Sequence, residues 1–238
     1  SRDGVMAAQL AQRGLSAGQE VLEHPVGYAA TVLGEGIYDL DVMADNLGKP
    51  FRTQDALMIK KYPCCGGNHA MLDSLFGMMR EHNFTHEDVA SAEVDQSYVS
   101  VVMLYGEPDD PLKGKFSAKY NVAAALVDGK VVVDTFTEEK IAEPEMQEAM
   151  SKVRTKVLSK WELADLEAHP TLPIRITLKD GRVFEHHTPR EMILGSQKNP
   201  WSFESIKGKF RDNAALALSE EGVTAAVDAW SDITQVTD

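Results

Sequence analysis

The segment from Lys60 to His69 carries the side chains most suited to chemistry in this chain of 238 residues. Its sequence is Lys-Lys-Tyr-Pro-Cys-Cys-Gly-Gly-Asn-His. The two glycines let the backbone approach a ligand closely, and a helix that begins near Asn68 offers free N–H groups and a positive dipole end to an anion. The pattern therefore predicts a binding site for a carboxylate. The alternative is a loop-to-helix junction whose lysines are only solvated.

Zinc is a further alternative for the same segment. Cys64, Cys65 and His69 are residue types that bind zinc, but adjacent cysteines lack the usual two-residue gap and a fourth ligand is not evident in the sequence. We therefore expect no metal at this segment.

A second basic segment runs from residue 111 to residue 120. It contains Lys113, Lys115 and Lys119 and no acidic residue, although the whole chain is strongly acidic. Such a local reversal of charge can attract an anionic substrate. Tyr120 becomes a proton donor if this positive charge lowers its pKa from about 10. In the alternative interpretation Tyr120 is a half-buried residue at the start of a helix, and the lysines only keep the surface soluble.

Charge and composition exclude several classes of function. The chain has 24 Lys and Arg against 37 Asp and Glu, a formal net charge of −13, which opposes binding to nucleic acid or to an anionic membrane. No Gly-rich phosphate loop precedes a Lys-Ser or Lys-Thr pair, which disfavours nucleotide-driven chemistry. Two adjacent cysteines cannot form a disulfide framework, so we expect a reducing, cytoplasmic location.

Local patterns place these segments between helices. At the N-terminal end they predict a helix over 5–13 that ends at Gly14, a short helix beginning at Ser16, and short helices and loops over 28–50. Further along they predict a helix capped by Asn68, a strand from Ala92 to Tyr105, a short helix over 122–127, and a helix with Pro144 in its first turn. A β-hairpin with an Asp180-Gly181 turn and two amphipathic helices after Ser202 complete the chain. The predicted order is helices, a mixed segment, and helices again.

Five segments together resemble the MmgE/PrpD family, which includes 2-methylcitrate dehydratase, cis-aconitate decarboxylase and iminodisuccinate epimerase. The segments are residues 1–8, residues 60–64 with His69, residues 115–126, residues 178–183, and Asn199-Pro200 followed by Lys209-Phe210. They occur in the family's order and span nearly the whole chain.

The resemblance covers the C-terminal half of the family and implies an α+β fold. In that fold an all-helical domain is interrupted by a smaller α+β lid domain that contains β-hairpins. Residues 1–55 would be a segment of the helical domain, residues 56–195 the lid, and residues 196–238 the return to the helical domain. The resemblance also implies a homodimer, and an N-terminal helical region that carries part of the active site.

The activity implied by the resemblance is that of a cofactor-independent lyase or isomerase. It would act on a small di- or tricarboxylic acid, as 2-methylcitrate dehydratase does, by removing a proton beside a carboxylate. Lys60, His69 and Tyr120 are the expected catalytic residues. Lys60, Cys65, Lys115 and Lys119 are the expected substrate-binding residues, although decarboxylase-like members carry His where this chain has Cys65. The alternative is a non-catalytic fragment, split subunit or degenerate homologue that needs an N-terminal helical partner.

Overall fold

A computed structural model shows two compact units, Ser1–Asp55 and Ala56–Asp238. The structure describes residues 2–34, 36–46, 48–49, 51, 57–97, 105–158 and 172–231. The further division near residue 195, between a lid and a helical return, stays a prediction.

The first unit contains three helices: α1 (Arg2–Gln12), α2 (Tyr28–Leu33) and α3 (Leu40–Ala44). Helix α1 ends before Gly14, whose positive φ of 95° suits glycine, in agreement with the predicted helix over 5–13. The short helix predicted from Ser16 is wrong, because turns follow instead. There the chain folds back so closely that a Cβ on Gly27 would lie 2.6 Å from the Val21 carbonyl oxygen.

The second unit contains a four-stranded mixed sheet formed by the described residues. Its strands are β1 (Val89–Ser97), β2 (Val153–Leu158), β3 (Ile174–Leu178) and β4 (Val183–His186). The order is β2-β1-β3-β4, with β1 and β2 parallel and the other pairs antiparallel. Strands β3 and β4 are the predicted hairpin. With the helices around it, the sheet confirms the α+β fold class.

The helices of the second unit include a long one that follows residues 60–68, which we call the candidate loop. The α-helices are α4 (His69–His82), α5 (Pro111–Lys115), α6 (Ala118–Asp128), α7 (Glu138–Ala142), α8 (Pro144–Ser151), α9 (Phe203–Ala214) and α10 (Glu220–Ser231), with 3₁₀ turns at Gly66–Asn68, Val133–Thr135 and Arg190–Met192. Strand β1 covers residues 92–97 of the strand predicted from Ala92 to Tyr105, and Tyr105 itself is not in a strand; residues 98–104 lie outside the described part.

The core of the second unit lies between its sheet and helices α4, α6 and α8. Leu72 and Leu75 of α4 and Ile174 and Ile176 of β3 are fully buried in it, and so is Met146 of α8. Burial of such apolar side chains is the main stabilising term, worth about 1.5–3 kcal/mol for each large one. Helix α4 is therefore firmly anchored, and its first residue is His69.

Helices α9 and α10 pack against each other after the sheet. The Ser202 hydroxyl accepts a hydrogen bond from the Ser205 amide at 3.1 Å, the predicted cap of α9. In α10, Val223 and Val227 are buried. Within the described ranges, no helix has both the length and the apolar character needed to cross a membrane.

Candidate functional site

The Lys60 side chain folds back over its own loop. Its Nζ donates a hydrogen bond to the Cys64 carbonyl oxygen at 3.1 Å, and its Cε would lie 3.9 Å from a Cβ added at Gly66. In the part of the chain that the structure describes, this ammonium makes no ion pair with a carboxylate. It therefore keeps donors for a ligand, since an ammonium carries three.

The loop is attached to the second basic segment at one point. The Cys65 amide donates a hydrogen bond to the Lys115 carbonyl oxygen at 2.9 Å. The Lys115 ammonium lies 5.8 Å from the centre of the Phe136 ring, a cation–π contact. Cys65 is partly exposed, while Cys64 is buried. The structure thus joins the loop that carries Lys60 to the second basic segment through the backbones of Cys65 and Lys115.

Two polar side chains are buried beside this loop without good partners. Asn68 is 1% exposed and His69 is 0% exposed. The Asn68 Nδ2 and both His69 ring nitrogens lack a hydrogen bond of good geometry to any described residue. The predicted cap is wrong, because the Asn68 side chain makes no capping hydrogen bond; the 3₁₀ turn already gives this residue helical backbone angles. A buried donor without a well-formed hydrogen bond costs about 1–3 kcal/mol, so this cluster is held at a cost in stability.

Burial shifts the pKa values of His69 and Cys64. It lowers the pKa of His69 to about 4, and the positive charge of Lys60 acts in the same direction, while Asp73 and the nearby backbone of Tyr62 and Cys64 oppose it. Burial also raises the pKa of Cys64 to about 12, with Cys65 adding to the effect and Lys60 opposing it. His69 is therefore neutral and Cys64 is a thiol near pH 7.

Asp73 fixes the loop on helix α4. It accepts hydrogen bonds from the Tyr62 hydroxyl at 2.8 Å, from Lys61 Nζ at 3.4 Å and from the Leu194 amide at 3.3 Å. Sequence reasoning missed this residue. Its spacing was the available signal, because Asp73 lies one helical turn after His69 and so on the same face of α4.

In the structure, Lys119 and Tyr120 contact other groups of the protein. Lys119 forms an ion pair with Glu107 at 2.6 Å. Tyr120 is fully buried, with its ring near Phe136 and its hydroxyl donating to the Thr135 carbonyl. Burial, with Asp128 adding to it, raises the pKa of Tyr120 instead of lowering it. Lys113 also pairs with Asp109 and Asp110, so Lys115 is the lysine of this segment left for an anion among the described contacts.

The metal alternative finds no support in the described ranges. No three His, Cys, Asp or Glu side chains there come together in an arrangement that could hold a metal ion. Cys64, Cys65 and His69 are neighbours in sequence, but they do not form such a group.

Comparison with known proteins extends over most of the chain. Cis-aconitate decarboxylase of Mus musculus is 24% identical over 246 residues, which cover 95% of this chain and 46% of that protein. Cis-aconitate decarboxylase of Homo sapiens is 25% identical over 240 residues, with 95% and 47% covered. The chain spans about half the length of these curated relatives. The MmgE/PrpD C-terminal domain matches residues 62–232, more than half of the chain. Because this domain matches more than half of the chain, the chain belongs to the MmgE/PrpD family.

Proposed function

We propose that this chain binds small di- or tricarboxylic acids as the C-terminal half of a lyase or isomerase. The reaction would remove a proton from a carbon beside a carboxylate, as in a 2-methylcitrate dehydratase-like hydro-lyase. The relatives bear the name of a decarboxylase, which also acts on a carboxylic acid. All of these reactions build negative charge beside a carboxylate, and a fixed cation stabilises that charge.

The Lys60 ammonium is the observation that carries the proposal. In a chain with a net charge of −13, this side chain is held by the Cys64 backbone and by no described carboxylate. Lys115 and the unmet Asn68 donor belong to the same loop junction. A carboxylate offers the acceptor oxygens that this group lacks.

We assign the other residues according to their surroundings. A buried, neutral His69 is suited to ordering the loop, because its ring packs edge-on against Tyr62 with centroids 5.2 Å apart. Tyr120 acts as a positioning residue that holds the Val133–Thr135 turn through its hydroxyl. The principal catalytic base would then come from the part of the relatives that this chain does not match.

A split or degenerate subunit is the second candidate function. The observation that favours it is coverage, since the chain aligns with about half of each relative. In this case the chain would bind carboxylates and catalyse only with an N-terminal helical partner. Turnover of 2-methylcitrate and cis-aconitate by the chain alone would contradict this candidate.

Titration calorimetry with tricarballylate, a stable tricarboxylate, tests the proposed function. Lys60→Met should weaken binding by about tenfold, because one charge-assisted hydrogen bond and its ion pair are lost. Lys179→Met is the matched control, since it removes an equal charge from the exposed hairpin turn. Equal affinity in the Lys60→Met variant and the unchanged chain would refute the proposal.

A further inference from the structure

A cavity of about 600 Å³ lies between helix α9 and the loops of the sheet domain. One wall is residues 130–134, another is the Lys61 and Pro63 side of the candidate loop, and the third is α9 with Trp201 before it. A cavity of this size falls within the range of small-molecule sites, about 300–1,000 Å³. The function proposed above for Lys60 does not use this cavity.

Lys209 connects this cavity, which we call the α9 cavity, to the candidate loop. It lines the cavity, and its Nζ donates a hydrogen bond to the carbonyl oxygen of Lys60. No described carboxylate pairs with it. Burial lowers the pKa of Lys209, and the nearby positive charge of Lys60 lowers it further. Two ammonium groups therefore lie within electrostatic reach of each other, both held by backbone carbonyls.

Trp201 lines the same cavity and carries an unmet donor. Its Nε1 is buried and has no hydrogen-bond partner among the described residues. The Lys209 ammonium lies 6.0 Å from the centre of the Trp201 ring. An indole N–H can only donate, so a ligand that satisfies it must bring an acceptor.

The other charged side chains that line the cavity carry charges of both signs. Lys61 is already paired with Asp73, and Lys130 is exposed. The cavity also contains Asp134 and Asp212, both exposed. Lys209 and Trp201 are less exposed than these aspartates, so the donors lie where solvent competes less for a ligand.

We propose that Lys209 and Trp201 bind a second carboxylate of the substrate in the α9 cavity, so that this pair selects di- and tricarboxylates over monocarboxylates. The inference rests on the proposed function, in which Lys60 binds the first carboxylate. One ligand that spans both ammonium groups relieves their mutual repulsion, which a monocarboxylate at Lys60 does not do.

The test compares tricarballylate with butyrate by titration calorimetry on the full chain. Lys209→Met should weaken tricarballylate binding by about tenfold and leave butyrate binding unchanged. Lys207→Met is the matched control on the same helix, because Lys207 is paired with Glu204 at 2.5 Å and should leave both affinities unchanged.

Trp201→Phe tests the second donor with a smaller change of shape. It should weaken tricarballylate binding several-fold and abolish the change in tryptophan emission on binding. If Lys209→Met does not fold, as judged by circular dichroism, this variant decides the question.

The outcomes separate the two proposals. Unchanged tricarballylate affinity in Lys209→Met and Trp201→Phe, together with weaker binding in Lys60→Met, would overturn the α9 cavity inference and leave the proposed function standing. Unchanged affinity in all three variants would overturn both. Equal weakening of butyrate and tricarballylate by Lys209→Met would also overturn the selectivity.

Discussion

His69 is the residue on which burial and charge act together. It begins helix α4, is 0% exposed, and packs its ring against Tyr62 at an interplanar angle of 74°. Loss of hydration disfavours the imidazolium, and the ammonium of Lys60 adds to that effect. The ring is therefore neutral in the folded protein and positions the loop that carries Lys60.

This environment predicts a loss of stability in mild acid. The pKa of His69 is about 4 in the fold and about 6.5 in the unfolded chain, so between these values the unfolded state binds more protons. The stabilising contribution is complete above pH 6.5 and is lost as the pH falls toward 4, by up to about 3 kcal/mol. Urea unfolding at several pH values between 4 and 7.5 measures this slope.

His69→Gln should flatten the slope, because the variant has no group that titrates at this position. His82→Gln, at the other end of the same helix, is the control and should leave the slope in place. A His69→Gln variant with the slope of the unchanged chain would show that another group causes the acid sensitivity.

The residues of the site differ in how far sequence could predict them. Lys60, Cys65 and Lys115 could be named from the sequence because their segments flank helices that it predicts. The structure joins the Cys65 and Lys115 backbones, and the roles of these residues stay a prediction. Lys119 was predicted to bind substrate, but in the structure it pairs with Glu107. That ion pair could not be predicted, because Glu107 lies in an irregular segment without a periodic sequence pattern. The contact between Lys209 and Lys60 was not predicted, since it spans 149 positions and depends on how α9 packs.

Elements with a strong local signal were predicted well. The β3–β4 hairpin has alternating burial in β3 and a Gly181 with a φ of 88° in its turn. Strand β2 was missed, because its four middle residues are all exposed and no alternation appears. Its place in the sheet depends on parallel pairing with β1, a long-range contact that local patterns do not encode.

Gly195 fixes the loop before Lys60 to the segment after the sheet. Its φ is 93°, its carbonyl accepts a hydrogen bond from the Ile59 amide at 3.0 Å, and a Cβ there would overlap the Ile59 carbonyl oxygen. Gly195→Ala should therefore displace the loop, destabilise the protein by at least about 2 kcal/mol, and weaken tricarballylate binding. Urea unfolding and titration calorimetry measure the two effects.

Gly181→Ala is the control for Gly195→Ala. Its φ is also strongly positive, but a Cβ at Gly181 would meet nothing within 4 Å. This variant should show only the backbone strain, about 1 kcal/mol, and keep its affinity for tricarballylate. Equal losses in both variants would mean that the Ile59 contact adds nothing.

At the scale of the whole molecule, apolar side chains are exposed on the N-terminal unit. Helix α1 has no buried residue, and its Val5, Met6 and Leu10 are 59%, 46% and 40% exposed. Val32 and Leu33 of α2 are also exposed. Met6 and Leu10 lie on one face of α1, and an exposed apolar face is typical of an interface. The chain spans about half the length of the curated relatives that it matches.

We therefore expect this chain, when produced alone, to associate with itself through helix α1. Met6 and Leu10 lie one turn apart, so a charge at Leu10 interrupts the exposed apolar face, and Leu10→Lys should shift the chain toward the monomer. Light scattering over a range of concentrations measures the association, and Gln9→Lys, on the same helix, is the control for added charge. If the chain with Leu10 in place is a monomer at every concentration, the exposed face of α1 does not mediate self-association.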